Sequence, residues 1–287
     1  MDTAQQINIQ KLQSFGGLLR GAWHSYVERF RVLVGIFVVP AVIILTASLI
    51  FLIPGAASKA IGFLLVAVGI VTSFVASLAL VYSVFNNAGI GDSYRFGFKN
   101  FFSFLWIVIL VSLAVLGGFI MLIVPGLIFS IAFSFSVFVF VTEGARGIET
   151  LARSAGYVKG YWWPVFWRFL GLGVITSIIA LVIGLPSVLL GEAASNIVSF
   201  VVNLFVVPFE IMYVCLLYRG LVEIKGGPLA VADPNKKRKL YITSAVVGLV
   251  VLMAFLIVTL LIGSLFFRSS LQEAPAGFDF DYQFEQQ

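Results

Sequence analysis

The chain alternates between two patterns. Short stretches with apolar residues at every third or fourth position lead into much longer, almost uninterrupted apolar spans. In the first short stretch Ile9, Leu12, Gly16, Leu19, Trp23, Tyr26 and Phe30 share one helical face, and Gln10, Lys11, Gln13, Arg20, Glu28 and Arg31 fall largely elsewhere. That periodicity predicts an amphipathic helix in the headgroup plane, with its aromatic side chains at acyl-chain depth. A second, looser stretch carries Tyr94, Phe98, Phe101 and Phe102 on one face, with Asp92 placed to cap it. A third, about 144–160, has Ile148, Leu151, Ala152, Ala155 and Val158 opposite Arg146, Glu149 and Arg153. The two readings of these segments are re-entry linkers that anchor spans, and a cytoplasmic collar that recognises anionic lipid or senses packing.

The apolar runs predict seven membrane-spanning helices, at about 32–53, 61–85, 102–124, 126–142, 164–188, 197–218 and 241–267. Between Lys99 and Glu143 lie 43 residues with no Asp, Glu, Lys or Arg. As one helix this run would be roughly 64 Å long, about twice a ~30 Å hydrocarbon core, so it reads as two spans joined by a turn. Pro125 and Gly126 are the expected turn. The pattern also recurs: Tyr26 leads to Pro54, Tyr94 to Pro125 and Tyr157 to Pro186, each over 28 to 31 residues. The fold class expected is all-α: a polytopic membrane protein built as a three-fold pseudo-repeat plus one further span. Residues 1–31 form its N-terminal interfacial helix, 32–267 its transmembrane domain and 268–287 an acidic and aromatic tail.

Composition agrees, with 61% hydrophobic residues and 11% charged, a mean hydropathy of +1.09 and a pI of about 9.4. Charge adds orientation. With the N-terminus cytoplasmic, 16 of the 18 Lys and Arg residues lie inside, and only Lys59 and Arg268 lie outside. The positive-inside rule then places the N-terminus in and the C-terminus out, in a bacterial-type inner membrane. The basic balance reads as attraction to the cytoplasmic leaflet, not as nucleic-acid binding. Expected partners are membrane lipids, anionic ones among them, and a protein partner or second copy.

Chemistry-bearing residues are sparse. One cysteine, Cys215, and one histidine, His24, exclude an intramolecular disulfide and a multi-histidine metal site. No cofactor motif, paired acids or nucleophile elbow is present, so the expectation is a protein without catalytic activity or cofactor. Glu210 lies within a span, and counting inward from the same side gives Arg168 a similar depth. The two are expected to pair, either to fix the last hairpin or as a proton- or substrate-linked site. Asn203 lies on the same helix, and Pro208 is expected to break it beside the acid. Trp23, Arg29, Arg153, Lys159, Trp162 and Trp163 are the candidate interfacial or lipid contacts.

The stretch Ile123 to Phe129, with Pro125 and Gly126, is followed by Glu143, Gly144, Ser154, Lys159 and Gly160. In that order these residues resemble the membrane domain attached to some bacterial glycerophosphoryl diester phosphodiesterases and related multi-span proteins. The likeness covers about 120–170 strictly and 10–225 more weakly. It implies a helical membrane domain and no phosphodiesterase activity, because the soluble catalytic barrel is absent from this sequence. Two functions compete. A membrane scaffold or lipid-interacting accessory protein predicts a packed core with exposed apolar faces. A transporter or channel for a lipid-like or small solute predicts a midplane cavity lined by Glu210, Asn203 and Arg168.

Overall fold

The computed structural model describes residues 12–188 and 191–228, together with residues 246, 248–250 and 253. All regular structure among them is helical. The order is α1 (Phe15–Glu28), α2 (Phe30–Phe51), α3 (Ala56–Asn86), α4 (Ile90–Lys99), α5 (Phe101–Met121), α6 (Ile123–Phe133), α7 (Ser136–Glu143), α8 (Ile148–Val158), α9 (Trp162–Val188) and α10 (Glu192–Ile224). Six helices among the described residues are long and apolar enough to cross a membrane: α2, α3, α5, α6 and α7 taken together, α9 and α10. The expected seventh span lies largely outside the described residues, as do the tail, residues 1–11 and the basic cluster at 236–239. Of span seven, residues 246, 248–250 and 253 are helical. Gly248 lies so close to the Leu113 carbonyl and the Gly117 amide of α5 that a side chain there would collide.

The short helices α1, α4 and α8 each precede two of the six candidate spans, the fourth of which is made of α6 and α7 together. All three gather at one end of the bundle, because α1 and α8 both pack against the C-terminal half of α10 and α4 packs against α3. Burial is concentrated there. The last turns of α3 are buried almost all round, with Leu78, Ala79, Leu80, Val81, Ser83 and Val84 inside. Met212, Tyr213, Cys215, Leu217, Tyr218 and Leu221 of α10 share one core with Ala79, Leu80, Val81 and Val84. The opposite halves of the spans are far more open. In α9, Ile178, Leu181, Val182 and Leu185 are all exposed apolar side chains.

The tyrosines that mark the sequence pattern face protein rather than lipid. Tyr26 and Tyr157 are buried, and half-buried Tyr94 donates its hydroxyl to the Ile36 carbonyl of α2. Pro40 lies inside α2. Having no N–H, it cannot bond the carbonyl four residues back, which is that of Ile36. The α4 hydroxyl therefore supplies the hydrogen bond that the proline removes, and in a span such a repair is needed. Gly97 lets α4 approach closely enough: a Cβ there would stand 2.9 Å from the Val75 carbonyl oxygen.

Three sequence expectations change. The turn between spans three and four is at Leu122, in extended conformation, not at Pro125 and Gly126. Those residues lie in the first turn of α6, where a missing N–H costs nothing; Gly126 instead makes room for the Phe119 ring. Asp92 is in the first turn of α4 and does not cap it; Gly89 holds the cap position without a side-chain bond. Helix α10 runs unbroken through Pro208. Helix α1 packs obliquely along α10: Phe15 meets Tyr213, Tyr26 meets Phe209, and Phe30 at the start of α2 stacks on Phe205. About 22 Å of helix axis from Phe15 to Phe30 thus tracks about 12 Å of α10.

The Tyr94 repair yields a double-mutant test. Tyr94→Phe leaves the Ile36 carbonyl unmatched and should lower stability by about 1–3 kcal/mol in detergent unfolding. In a Pro40→Ala background the helix supplies its own N–H, and the same change should cost clearly less. Burial also raises the Tyr94 phenol to about 12. Its raised pKa makes its stabilisation fully present below pH ~10 and lost as pH climbs from there to ~12. That alkaline component should be missing from the Tyr94→Phe unfolding profile.

Candidate functional site

The fourth span is interrupted between α6 and α7, and the break is held from outside. Ser154 of α8 donates its hydroxyl to the Ala132 carbonyl at 2.7 Å and accepts from the Phe135 amide at 3.1 Å. One buried side chain thus satisfies both a carbonyl and an amide at the interruption. Below it, α7 ends at Gly144 in left-handed conformation (φ 66°), and Glu143 turns into the core.

Glu143 is the centre of the polar end. Its Oε1 accepts from the hydroxyls of Tyr157 at 2.5 Å and Tyr218 at 2.9 Å. Its Oε2 accepts from Arg153 Nη1 at 2.7 Å, and the carboxylate side chain is only 6% exposed. Arg153 uses Nε and Nη2 on Glu149, at 3.0 and 2.6 Å. These charge-assisted bonds, led by the one to Glu143, raise the Arg153 guanidinium above its ordinary value despite some burial. Three donors from α8 and α10 surround a carboxylate on α7, which suits a latch between helices better than a proton donor or nucleophile.

A second polar cluster closes the C-terminus of α3. Arg29 donates to the carbonyls of Ser83 and Ala88, and Arg219 donates to that of Val84 at 3.2 Å. Arg219 also lies over the Phe85 ring, 4.8 Å from its centroid. The final carbonyls of a helix lack intrahelical donors and carry the negative end of its dipole, so two guanidinium groups there are well matched. Burial lowers the Arg29 pKa from its ordinary value.

The predicted intramembrane site is only partly assembled. Arg168 does not pair with Glu210: its guanidinium donates to the backbone carbonyls of Pro164, Leu12 and Gln13. It fastens the segment before α1 to α9. Glu210 and Asn203 do share a groove between α9 and α10, of about 260 Å³, with Thr176, Ser177 and Ser199. The Asn203 amide donates to the Ser199 carbonyl of its own helix at 2.8 Å. A larger groove of about 550 Å³ lies on the other side, walled by α1, α9 and α10, and is nearly all apolar.

The candidate lipid contacts divide similarly. Trp23 and Trp163 are exposed, as is Lys159, whose carbonyl accepts from Lys225 Nζ. Trp162 is half-buried and stacked on Phe166. Arg29 and Arg153 are committed to internal partners. Sequence reasoning marked Glu143 only through the family resemblance and did not find its tyrosine and arginine partners. The available signal was a lone acid ending an apolar span, with Arg153 and Tyr157 on the next helical face. No family model, curated protein or solved structure matches the chain.

The Glu143 latch makes a measurable prediction. Arg153→Met leaves a buried carboxylate without its cation and should destabilise the protein by about 3–5 kcal/mol in detergent unfolding. Adding Glu143→Gln should recover part of that loss, so the double variant is less unstable than the sum of the singles.

Proposed function

We propose that this chain is a non-enzymatic, lipid-interacting scaffold of a bacterial-type inner membrane, with its N-terminus cytoplasmic and its C-terminus outside. The observation that carries this reading is the contrast between the two ends of the bundle. One end is sealed by a buried core and two polar clusters. At the other, apolar side chains of α9 are exposed, and a groove of about 550 Å³ runs between α9, α10 and α1. A surface of that kind inside a membrane is covered by acyl chains or by another apolar chain. The seven-span, three-unit architecture belongs to the same proposal. It is supported by the repeated order of one short helix and two candidate spans, and by helical Gly248 lying against Leu113 and Gly117 of α5. Exposed Arg31, Arg95, Lys99, Arg146 and Lys159 at the short-helix end support both its cytoplasmic placement and attraction to anionic headgroups. The kinship with phosphodiesterase-associated membrane domains remains part of this reading, carried by Ser154, Glu143 and Gly144, which have definite structural work here.

A transporter is the second reading, favoured by the groove that holds Glu210, Asn203, Ser199, Thr176 and Ser177 within the spans. The two readings separate in one preparation. Purified full-length protein, exchanged extensively into detergent, should retain phospholipid detectable by mass spectrometry. In proteoliposomes it should show no proton flux dependent on Glu210, measured with an entrapped pH dye on wild type and Glu210→Gln. Flux lost in that variant, with no retained lipid, would favour the transporter.

A further inference from the structure

The groove between α1, α9 and α10 has a polarity that specifies more than an apolar surface. Leu19, Trp23 and Phe30 line it from one side, with Ile175, Ile179 and Phe209 among the residues facing them. Arg20 is the one charged side chain in its wall, and no acidic residue lines it. Arg20 is exposed, and its Nε donates to the Gly16 carbonyl of its own helix at 3.4 Å. Among the described residues its two amino groups have no ion-pair or hydrogen-bond partner. The acids closest to it in sequence or on α10 are engaged elsewhere: Glu28 faces His24 at 3.2 Å, and Glu210 lines the opposite groove.

The order of contacts along α1 gives the groove a direction. Phe15 lies against Tyr213, Trp23 against Phe209 and Phe30 against Phe205. Arg20 therefore lies towards the Phe15–Tyr213 end of the groove, and Phe30, Phe205 and Ile179 line its other end. A cation at the head of a long apolar trough matches a molecule with an anionic head and a hydrocarbon tail. The volume of about 550 Å³ falls in the ~300–1,000 Å³ range of small-ligand sites.

We propose that this groove binds one anionic phospholipid, its phosphate on the Arg20 guanidinium and an acyl chain along the Trp23, Ile179 and Phe205 wall. The inference rests on the lipid-interacting reading and adds the site, the headgroup charge and the orientation. Guanidinium presents several parallel donors and so suits phosphate oxygens better than a point charge would.

The test uses delipidated full-length protein in a neutral detergent, titrated with phosphatidylglycerol or phosphatidylcholine of identical chains and read by native mass spectrometry. One basic side chain near a lipid surface contributes ~1 kcal/mol, so phosphatidylglycerol should bind about fivefold more tightly. Arg20→Gln should abolish that preference while leaving phosphatidylcholine binding unchanged, and Arg20→Lys should keep part of it. Ile179→Trp, which fills the trough at an exposed position, should weaken both lipids. Phosphatidylglycerol brominated on its chains should quench tryptophan fluorescence more in wild type than in Trp23→Phe. Displacement of phosphatidylglycerol by millimolar inorganic phosphate would overturn the choice of a lipid ligand. A preference that persists in Arg20→Gln, with Ile179→Trp still weakening both lipids, would overturn the headgroup assignment alone. Wild-type protein that takes up neither lipid would overturn the lipid-interacting reading as well.

Discussion

Glu143 is the constraint on which the polar end is organised. A carboxylate that is 6% exposed at the foot of an apolar span must be matched, and α8 and α10 supply the match. Once Tyr157 and Tyr218 are drawn to it, α8 is fixed across the ends of α7 and α10 and the aromatic core of Phe135, Phe138 and Tyr218 closes around them. The adjacent residue, Arg219, is carried by the same helix to the end of α3. The two polar clusters are therefore coupled through one turn of α10. Burying such a group is costly by itself; its benefit is a single permitted register between helices whose apolar surfaces would accept several.

Most of the remaining polar side chains at this end serve the backbone rather than a ligand. Tyr94 restores the bond lost at Pro40, Ser154 spans the break before α7, Arg29 and Arg219 close α3, and Arg168 holds the residues before α1. Unmatched carbonyls are expensive in a hydrocarbon-rich setting, and a long side chain from a neighbouring helix is the usual remedy. Arg20 differs from these arginines because its only bond among the described residues is a long one to its own helix.

The spans were legible because charge and hydropathy vary along a single coordinate, distance in sequence. The 43 residues between Lys99 and Glu143 had to fold back, and α5 and α6 do so. The turn was misplaced by a few residues because proline and glycine also suit a helix's first turn and a close ring contact, the roles they have here. Asn203 and Glu210 line one groove, since residues seven apart share a helical face. Arg168 does not join them, because matched depth says nothing about the direction in which a side chain leaves its helix. Bonds such as Tyr94 to Ile36, 58 residues apart, follow from tertiary packing that no local periodicity encodes.

The interruption of the fourth span has a consequence for how the molecule is made. Ser154, which completes it, lies 22 residues after Ala132 and 19 after Phe135. When α6 and α7 leave the ribosome, the group that will satisfy their junction has not yet emerged. The carbonyl of Ala132 and the amide of Phe135 therefore gain their Ser154 partner only when α8 docks, which sets an order of packing that apolarity alone would not impose.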